Sequence, residues 1–369
     1  MGASGLTAQA LGANNNNEIS ILLFRVAFLA LIGGVVIFLL QSPIFYVAGF
    51  FIDADPQIMN LTQTYFKTRI YSAPATIGMY AISGWLIGMH NSITPMITSI
   101  MINILNIVLN FIFVIYFDML IEGVALGTVI AEYIGFFFML WVINRKYKNV
   151  INFKYLNYNK IKIGITNFFK INANIYIRTL MVILVMSFFT SKSAGQNTEI
   201  LAINSILLQY FLLYSFFLDG FAYAAEAITG KLLGAGKLLI MRDAIKKIFL
   251  WGIGISCLIS LLFFIGDRYI IRILTDDKTV IYKSYEYLIW VKLIPLVAFA
   301  AFIWDGIYIG ATLTKEMRNS LILAAIVFFT LYYILFPIFQ NHGIWMAFFA
   351  YMLTRGIYQT LLSKKLYYK

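Results

Sequence analysis

The chain has 369 residues, 61% hydrophobic and 12% charged, with a mean hydropathy of +0.83 and a net charge of +12. A soluble domain is about half apolar and about a quarter charged, so this composition excludes a soluble globular protein. The apolar runs reach the ~20 residues a helical span needs, which excludes a barrel of short alternating strands and leaves a helical bundle.

After a short N-terminal stub from Gly2 to Leu11, helices are predicted near 19–50, 60–89, 93–117, 121–144, 165–190, 198–230, 241–273, 280–311, 318–339 and 343–363. The connections set an orientation. One set holds Arg145, Lys146, Lys148, Lys154, Lys160, Lys162, Lys231, Lys237, Arg242, Lys246, Lys247, Lys315, Arg318, Lys364, Lys365 and Lys369. The alternate set holds Lys192, Arg268, Arg272 and Lys278. The basic side is expected to be cytoplasmic, which puts the stub and the C-terminal tail there, in a multi-pass protein of the inner (plasma) membrane. The positive charge is thus read as membrane topology, and no nucleic-acid partner is expected.

Two stretches repeat at a constant offset. Gly5-Leu-Thr7-Ala-Gln-Ala-Leu11-Gly12-Ala13 echoes Ala227-Ile-Thr229-Gly-Lys-Leu-Leu233-Gly234-Ala235, and Gly84-Trp-Leu-Ile-Gly88 echoes Gly306-Ile-Tyr-Ile-Gly310, both 222 residues apart. Pro74 and Pro295 differ by 221, and Gly123 and Gly343 by 220. Six helices separate Gly12 from Gly234, so the copies run in the same sense, a parallel repeat as in two-lobed transporters. The second copy begins near residue 161, which would start the first about 60 residues before Met1. The expected fold is all-α and polytopic: two six-helix bundles, the first lacking its first helix and most of its second. The expected parts are an incomplete N-terminal lobe at 1–145, a cytoplasmic basic linker at 146–164 and a C-terminal lobe at 165–369.

These motifs resemble the MATE (multidrug and toxic-compound extrusion) family. Gly5–Ala13 looks like the end of that family's second helix. Asn106-Ile-Val-Leu-Asn110 and Gly123-Val-Ala-Leu-Gly-Thr-Val-Ile-Ala-Glu132 resemble its fifth and sixth. Phe217-Leu-Asp219-Gly-Phe-Ala-Tyr-Ala-Ala-Glu226-Ala, Asp305-Gly-Ile-Tyr-Ile-Gly-Ala-Thr312 and Glu316-Met-Arg318-Asn319 are similar to its DinF-type branch. The resemblance covers the whole chain. It implies two bundles in a V and cation-coupled export of amphipathic, often cationic compounds through a cavity between them. It also implies a titrating carboxylate on a first helix that this sequence does not include. Where the family's fifth-helix pattern usually ends in Asp, this chain has Asn110. Tyr65, Asn106 and Thr128 match the remaining polar partners of that first-lobe network.

Ionisable residues inside apolar helices cost roughly 2.5–3.5 kcal/mol each, and a bundle that keeps one commonly uses it. Asp305, about ten residues past Pro295, is read either as a proton- or cation-binding carboxylate or as a fixed partner of Arg178. Arg178 shares a helix face with Asn167, Lys170 and Asn174. Asp219 and Glu226, seven apart, share another; each is read as a titrating cavity wall, with plain hydration the alternative for Glu226. Asn103, Asn106 and Asn110 form a polar ridge, and Glu132 faces a polar cavity or a neighbouring helix. Asn103, Asn174, Asn204 and Gln209 are cavity-lining candidates, amide glue between helices being the alternative for all but Asn174. Pro74 and Pro295 are candidate hinges, since an interior proline removes a helix hydrogen bond.

Other chemistries fit poorly. Gly234-Ala-Gly236-Lys237 is followed by Leu238 rather than Ser or Thr, and Lys231 stands where a phosphate loop needs its first Gly. One cysteine, Cys257, and two distant histidines, His90 and His342, offer neither a metal site nor a triad. The expectation is therefore no enzyme and no cofactor. The chain is read as a monomeric antiporter of small molecules in the bilayer, driven by H⁺ or Na⁺. A lipid-linked-precursor flippase of the same superfamily and an inactive truncated remnant are the alternatives. The sequence charges that lie deep in helices, Asp219, Glu226 and Asp305 against Arg178, favour cationic cargo.

Overall fold

The computed structural model describes residues 2–49, 55–152, 154 and 162–366. Much of the expected linker, at 153 and 155–161, lies outside the described residues, as do Lys160 and Lys369. The chain divides into two compact units, Ala3–Thr166 and Asn167–Lys369. Both are helical, and no strand occurs among the described residues.

The first unit holds α1 (Gly2–Gly12), α2 (Asn16–Leu39), α3 (Gln41–Gly49), α4 (Pro56–Arg69), α5 (Ala73–Gly88), α6 (Ile93–Phe111) and α7 (Leu120–Lys146). The second holds α8 (Ile165–Ala194), α9 (Thr198–Gly234), α10 (Leu238–Leu274), α11 (Lys278–Gly310), α12 (Thr314–Phe339) and α13 (Asn341–Leu362). Among the described residues, eight helices are long and apolar enough to cross a membrane: α2, α6 with its π extension, and α7 to α12. At 1.5 Å per residue, the 24 residues of α2 reach about 36 Å, past a hydrocarbon core of about 30 Å. Side chains at the starts satisfy orphan amides: Asn15 accepts from Glu18 N at 3.1 Å, Asn197 from Ile200 N at 2.7 Å, and Asp277 from Thr279 N at 2.8 Å.

Two predicted helices are broken. The run at 19–50 divides at Leu40 into α2 and α3. As one rod it would extend about 48 Å, well beyond the core. The run at 60–89 divides into α4, a 3₁₀ turn at Ile70–Ser72, and α5. Pro74 consequently sits in the first turn of α5, where its missing N–H breaks no interior bond, so the break lies before it rather than at it. Pro295 does lie inside a continuous helix, α11. The backbone around it is tied down, because Tyr214 Oη donates to Pro295 O at 3.0 Å and Ser260 Oγ to Lys292 O at 2.6 Å.

The repeat is present in the backbone of both units. Asn14 and Gly236 adopt φ of 54° and 68°, and His90 and Thr312 φ of 59° and 56°, each pair 222 residues apart. The hydrogen bonds closing these turns also match. Asn15 N donates to Ala10 O at 3.0 Å and Lys237 N to Leu232 O at 2.9 Å; Asn91 N donates to Leu86 O at 2.9 Å and Leu313 N to Tyr308 O at 2.8 Å. The interior contact matches too. A Cβ on Gly88 would meet the carbonyl oxygen of Ser4, and a Cβ on Gly310 that of Glu226. Gly–backbone approach thus packs α5 on α1 and α11 on α9 in the same way.

Candidate functional site

The second unit encloses a charged centre on α11. Asp305 is 4% exposed, one residue before Gly306, whose bare Cα lies against the carbonyl of Ala222 on α9. Three groups hold its carboxylate. Arg178 Nη2, from α8, donates to Oδ2. Arg355 Nη2, from α13, donates to the same oxygen at 2.8 Å, and Gln359 Nε2 donates to Oδ1 at 2.7 Å. Arg355 and Gln359 are four apart, on one face of α13. Arg355 is 3% exposed, and its guanidinium carbon lies 5.7 Å from the ring centres of both Phe302 and Tyr351. A lone charge at this depth would be prohibitive; a carboxylate shared by two cations and an amide satisfies itself locally.

Asp219, half-buried on α9, lies within electrostatic range of Arg178, Asp305 and Arg355. Two carboxylates and two guanidiniums therefore share this region, so the acidic excess read from the sequence does not hold here; Arg355 balances it. Glu226, seven residues on, is 2% exposed, which rules out the reading of a merely hydrated end group. Three buried polar atoms at the centre make no hydrogen bond within the protein: Arg178 Nε, Arg355 Nε and Gln359 Oε1. Buried polar atoms are nearly always satisfied, so the hydrogen-bonding capacity of this centre is not used up by Asp305 alone.

Other predicted residues fall elsewhere. Asn204 is locked rather than cavity-lining. Its Nδ2 reaches Ser193 Oγ and Asn341 Oδ1, both at 2.7 Å, and its Oδ1 accepts from Trp345 Nε1 at 2.9 Å and Asn341 Nδ2 at 3.1 Å. Asn341→Leu should orphan these groups and cost about 1–3 kcal/mol, seen as a lower melting temperature in detergent. Asn174 accepts from Arg318 Nη1 at 2.8 Å and donates to Thr314 Oγ1 at 3.3 Å, binding α8 to the start of α12. Gln209 is exposed.

In the first unit, Asn106 Nδ2 donates to Thr128 Oγ1 at 2.7 Å and Asn110 Nδ2 to Asn106 Oδ1 at 3.2 Å, tying α6 to α7. Tyr65 is not part of this group; it interacts with Arg69. Glu132, on α7, takes both arms of Arg69, at 2.9 and 2.6 Å, and a bond from Thr76 Oγ1. Sequence reasoning missed Arg69, Arg355 and Gln359. The four-residue spacing of Arg355 and Gln359 inside an apolar helix was the available signal.

The sequence profile of MatE matches residues 1–112 and 173–334, most of the chain. DNA damage-inducible protein F of Escherichia coli is 31% identical over 368 residues, spanning 97% of this chain and 78% of that protein. The chain belongs to the MatE family. Protein DETOXIFICATION 44 of Arabidopsis thaliana, a chloroplastic protein, is 25% identical over 305 residues, 82% of this chain but 57% of that one. A crystal structure of a MATE protein in complex with MaD3S superposes with a TM-score of 0.89 over 100% of this chain and 84% of that chain. At 15% identity it establishes a shared fold alone. The MatE chain is thus an all-helical, multi-pass membrane protein.

Proposed function

We propose that this MatE chain is a cation-coupled antiporter that exports amphipathic compounds by alternating access, with Asp305 as the carboxylate that exchanges the coupling ion. One observation carries the reading: a single carboxylate, at 4% exposure, joins helices α8, α11 and α13 through Arg178, Arg355 and Gln359. Neutralising Asp305 with H⁺ or screening it with Na⁺ removes the common acceptor of three groups, so ion binding favours a different arrangement of these helices. A ligand shifts an equilibrium by its differential affinity for the two states, and this centre supplies such a difference. The basic connections support a C-terminus on the cytoplasmic face of the inner membrane, and one chain carries both copies of the repeat, which supports a monomer.

A second reading is favoured by one feature. Arg178 and Arg355 each keep a buried Nε–H without a protein acceptor, the donors an anionic headgroup would use, which supports a lipid-linked-precursor flippase. Cationic cargo is accordingly a question for the assay. Vesicles loaded with a fluorescent organic cation should empty under an imposed pH or Na⁺ gradient. Asp305→Asn should cut the gradient-driven rate at least about tenfold, the scale of losing one charged contact. Wild-type rates in that variant would remove Asp305 from the coupling step; no gradient-driven efflux in the parent, with movement of an anionic lipid analogue instead, would favour the flippase.

A further inference from the structure

Glu132 closes the inner end of a groove in the first unit. The groove holds about 210 Å³ and is walled by Thr76 and Ser83 of α5, Ser99 and Asn103 of α6, and Glu132 and Met139 of α7. That volume is ample for several waters. Met79, Ile102 and Met139 share the lining, but hydroxyl, amide and carboxylate groups are costly against lipid, so their presence along the groove points to wetted space.

Position along the helices gives the groove a direction. Glu132 lies 12 residues from Leu120 and 14 from Lys146, about 18 and 21 Å, so it is at mid-span. The groove also takes in Pro95, at the start of α6. It therefore runs from the helix ends that carry the basic Arg145 and Lys146 to the middle of the bundle.

What Glu132 holds is equally specific. Arg69 is the last residue of α4, and it grips Glu132 with both arms while also donating to Ser72 in the 3₁₀ turn. Tyr133 Oη, beside Glu132, donates to Tyr71 O in that turn at 2.9 Å. α4 buries none of its own residues fully, and the polar bonds at its end tie it to α7 and to the turn. The ionisable groups facing Glu132 are Arg69 and, through it, Tyr65 from α4, with Tyr80 of α5 on the groove and Tyr133 alongside on α7; α6 presents none to the groove.

We propose that Glu132 is a cation-binding carboxylate of the first unit, loaded with a proton or a sodium ion through this groove, and that loading releases Arg69 and with it α4. This site is separate from Asp305 and does not rest on the function proposed for that residue. The chemistry is a competition: Glu132 oxygens cannot be fully engaged by Arg69 and by a second cation at once, and Thr76 Oγ1 and Asn103 offer the newcomer further oxygens.

The test is carbodiimide labelling of the purified intact chain, because the reagent modifies protonated carboxyls in apolar surroundings and requires no transport. Labelling of the Glu132 peptide, read by mass spectrometry, should rise about tenfold per pH unit towards acid on the alkaline limb of its titration. Sodium chloride in place of choline chloride should suppress labelling if Na⁺ is the natural occupant and leave it unchanged if H⁺ is. Arg69→Gln should raise labelling severalfold at fixed pH, and Ser99→Trp, which plugs the groove remotely from the ion pair, should lower it severalfold. Asn103→Cys, with Cys257→Ser removing the one native thiol, should react with a water-soluble thiol reagent and report the route without labelling Glu132. A Glu132 peptide unlabelled at every pH, or labelling indifferent to Ser99→Trp with an inert Asn103→Cys, overturns the proposal.

Discussion

Arg355→Met should destabilise the second unit by about 1.5–3 kcal/mol, the scale of a hydrogen bond to a charged group. Asp305 would keep Arg178 and Gln359 but lose the cation that is itself 3% exposed and sandwiched between Phe302 and Tyr351. Methionine fills much of the same volume, so the loss reports charge rather than packing. Denaturation of the detergent-solubilised protein should show the full effect in the single variant. The double variant Arg355→Met with Asp305→Asn should lose less than the sum of the two singles, since the contact between these two residues can be lost only once, giving a coupling of the size seen between directly contacting charged groups. If the double variant is as unstable as the sum of the two singles, Asp305 and Arg355 are independent and the ion-pair account of this centre fails.

Gly306→Val should be more damaging still, above about 4 kcal/mol, because its branched side chain has nowhere to go. The position of its Cβ is occupied by the carbonyl of Ala222, a backbone atom that cannot swing aside as a side chain could. Moving α9 away would also separate Asp219 from the charges around Asp305. The expected result is loss of folded protein in the membrane fraction and of a monodisperse peak after extraction. Gly220→Ala supplies the contrast: nothing lies within 4 Å of a Cβ there, so removing a helix-interior glycine should stabilise by up to about 1 kcal/mol. Equal behaviour of the two variants would mean that α9 and α11 are not packed through Gly306.

The sequence carried much of this fold because lipid imposes simple rules. Apolar length marks the spans, and the 222-residue offset exposed a repeat that recurs in the turns at Asn14 and Gly236 and the contacts of Gly88 and Gly310. The juxtaposition of Arg178 with Asp305 was also legible, since two charges deep in apolar helices need one another. The breaks were not. Leu40 sits in a run with no local breaker stronger than Pro43, and the turn at Ile70–Ser72 precedes Pro74 by enough that the proline reads as a kink rather than as a helix start. Arg69 and Arg355 were missed for a related reason. Near helix ends, arginines ordinarily report topology, and only three-dimensional pairing reveals that these two face Glu132 and Asp305. For Asn204 the sequence left a cavity wall and amide glue between helices open, and its bonds to Ser193, Asn341 and Trp345 fit the glue.

The central claim, that Asp305 exchanges a coupling ion for cargo, is most directly tested by binding without transport. Affinity of the solubilised protein for the fluorescent cation would be measured against pH and against Na⁺ concentration. Linkage requires each ligand to weaken the other by the same factor. The account predicts that affinity falls with acid or with Na⁺, by up to about tenfold per pH unit, and that Asp305→Asn binds with no such dependence. An undiminished dependence in Asp305→Asn would place the exchange elsewhere and contradict the account.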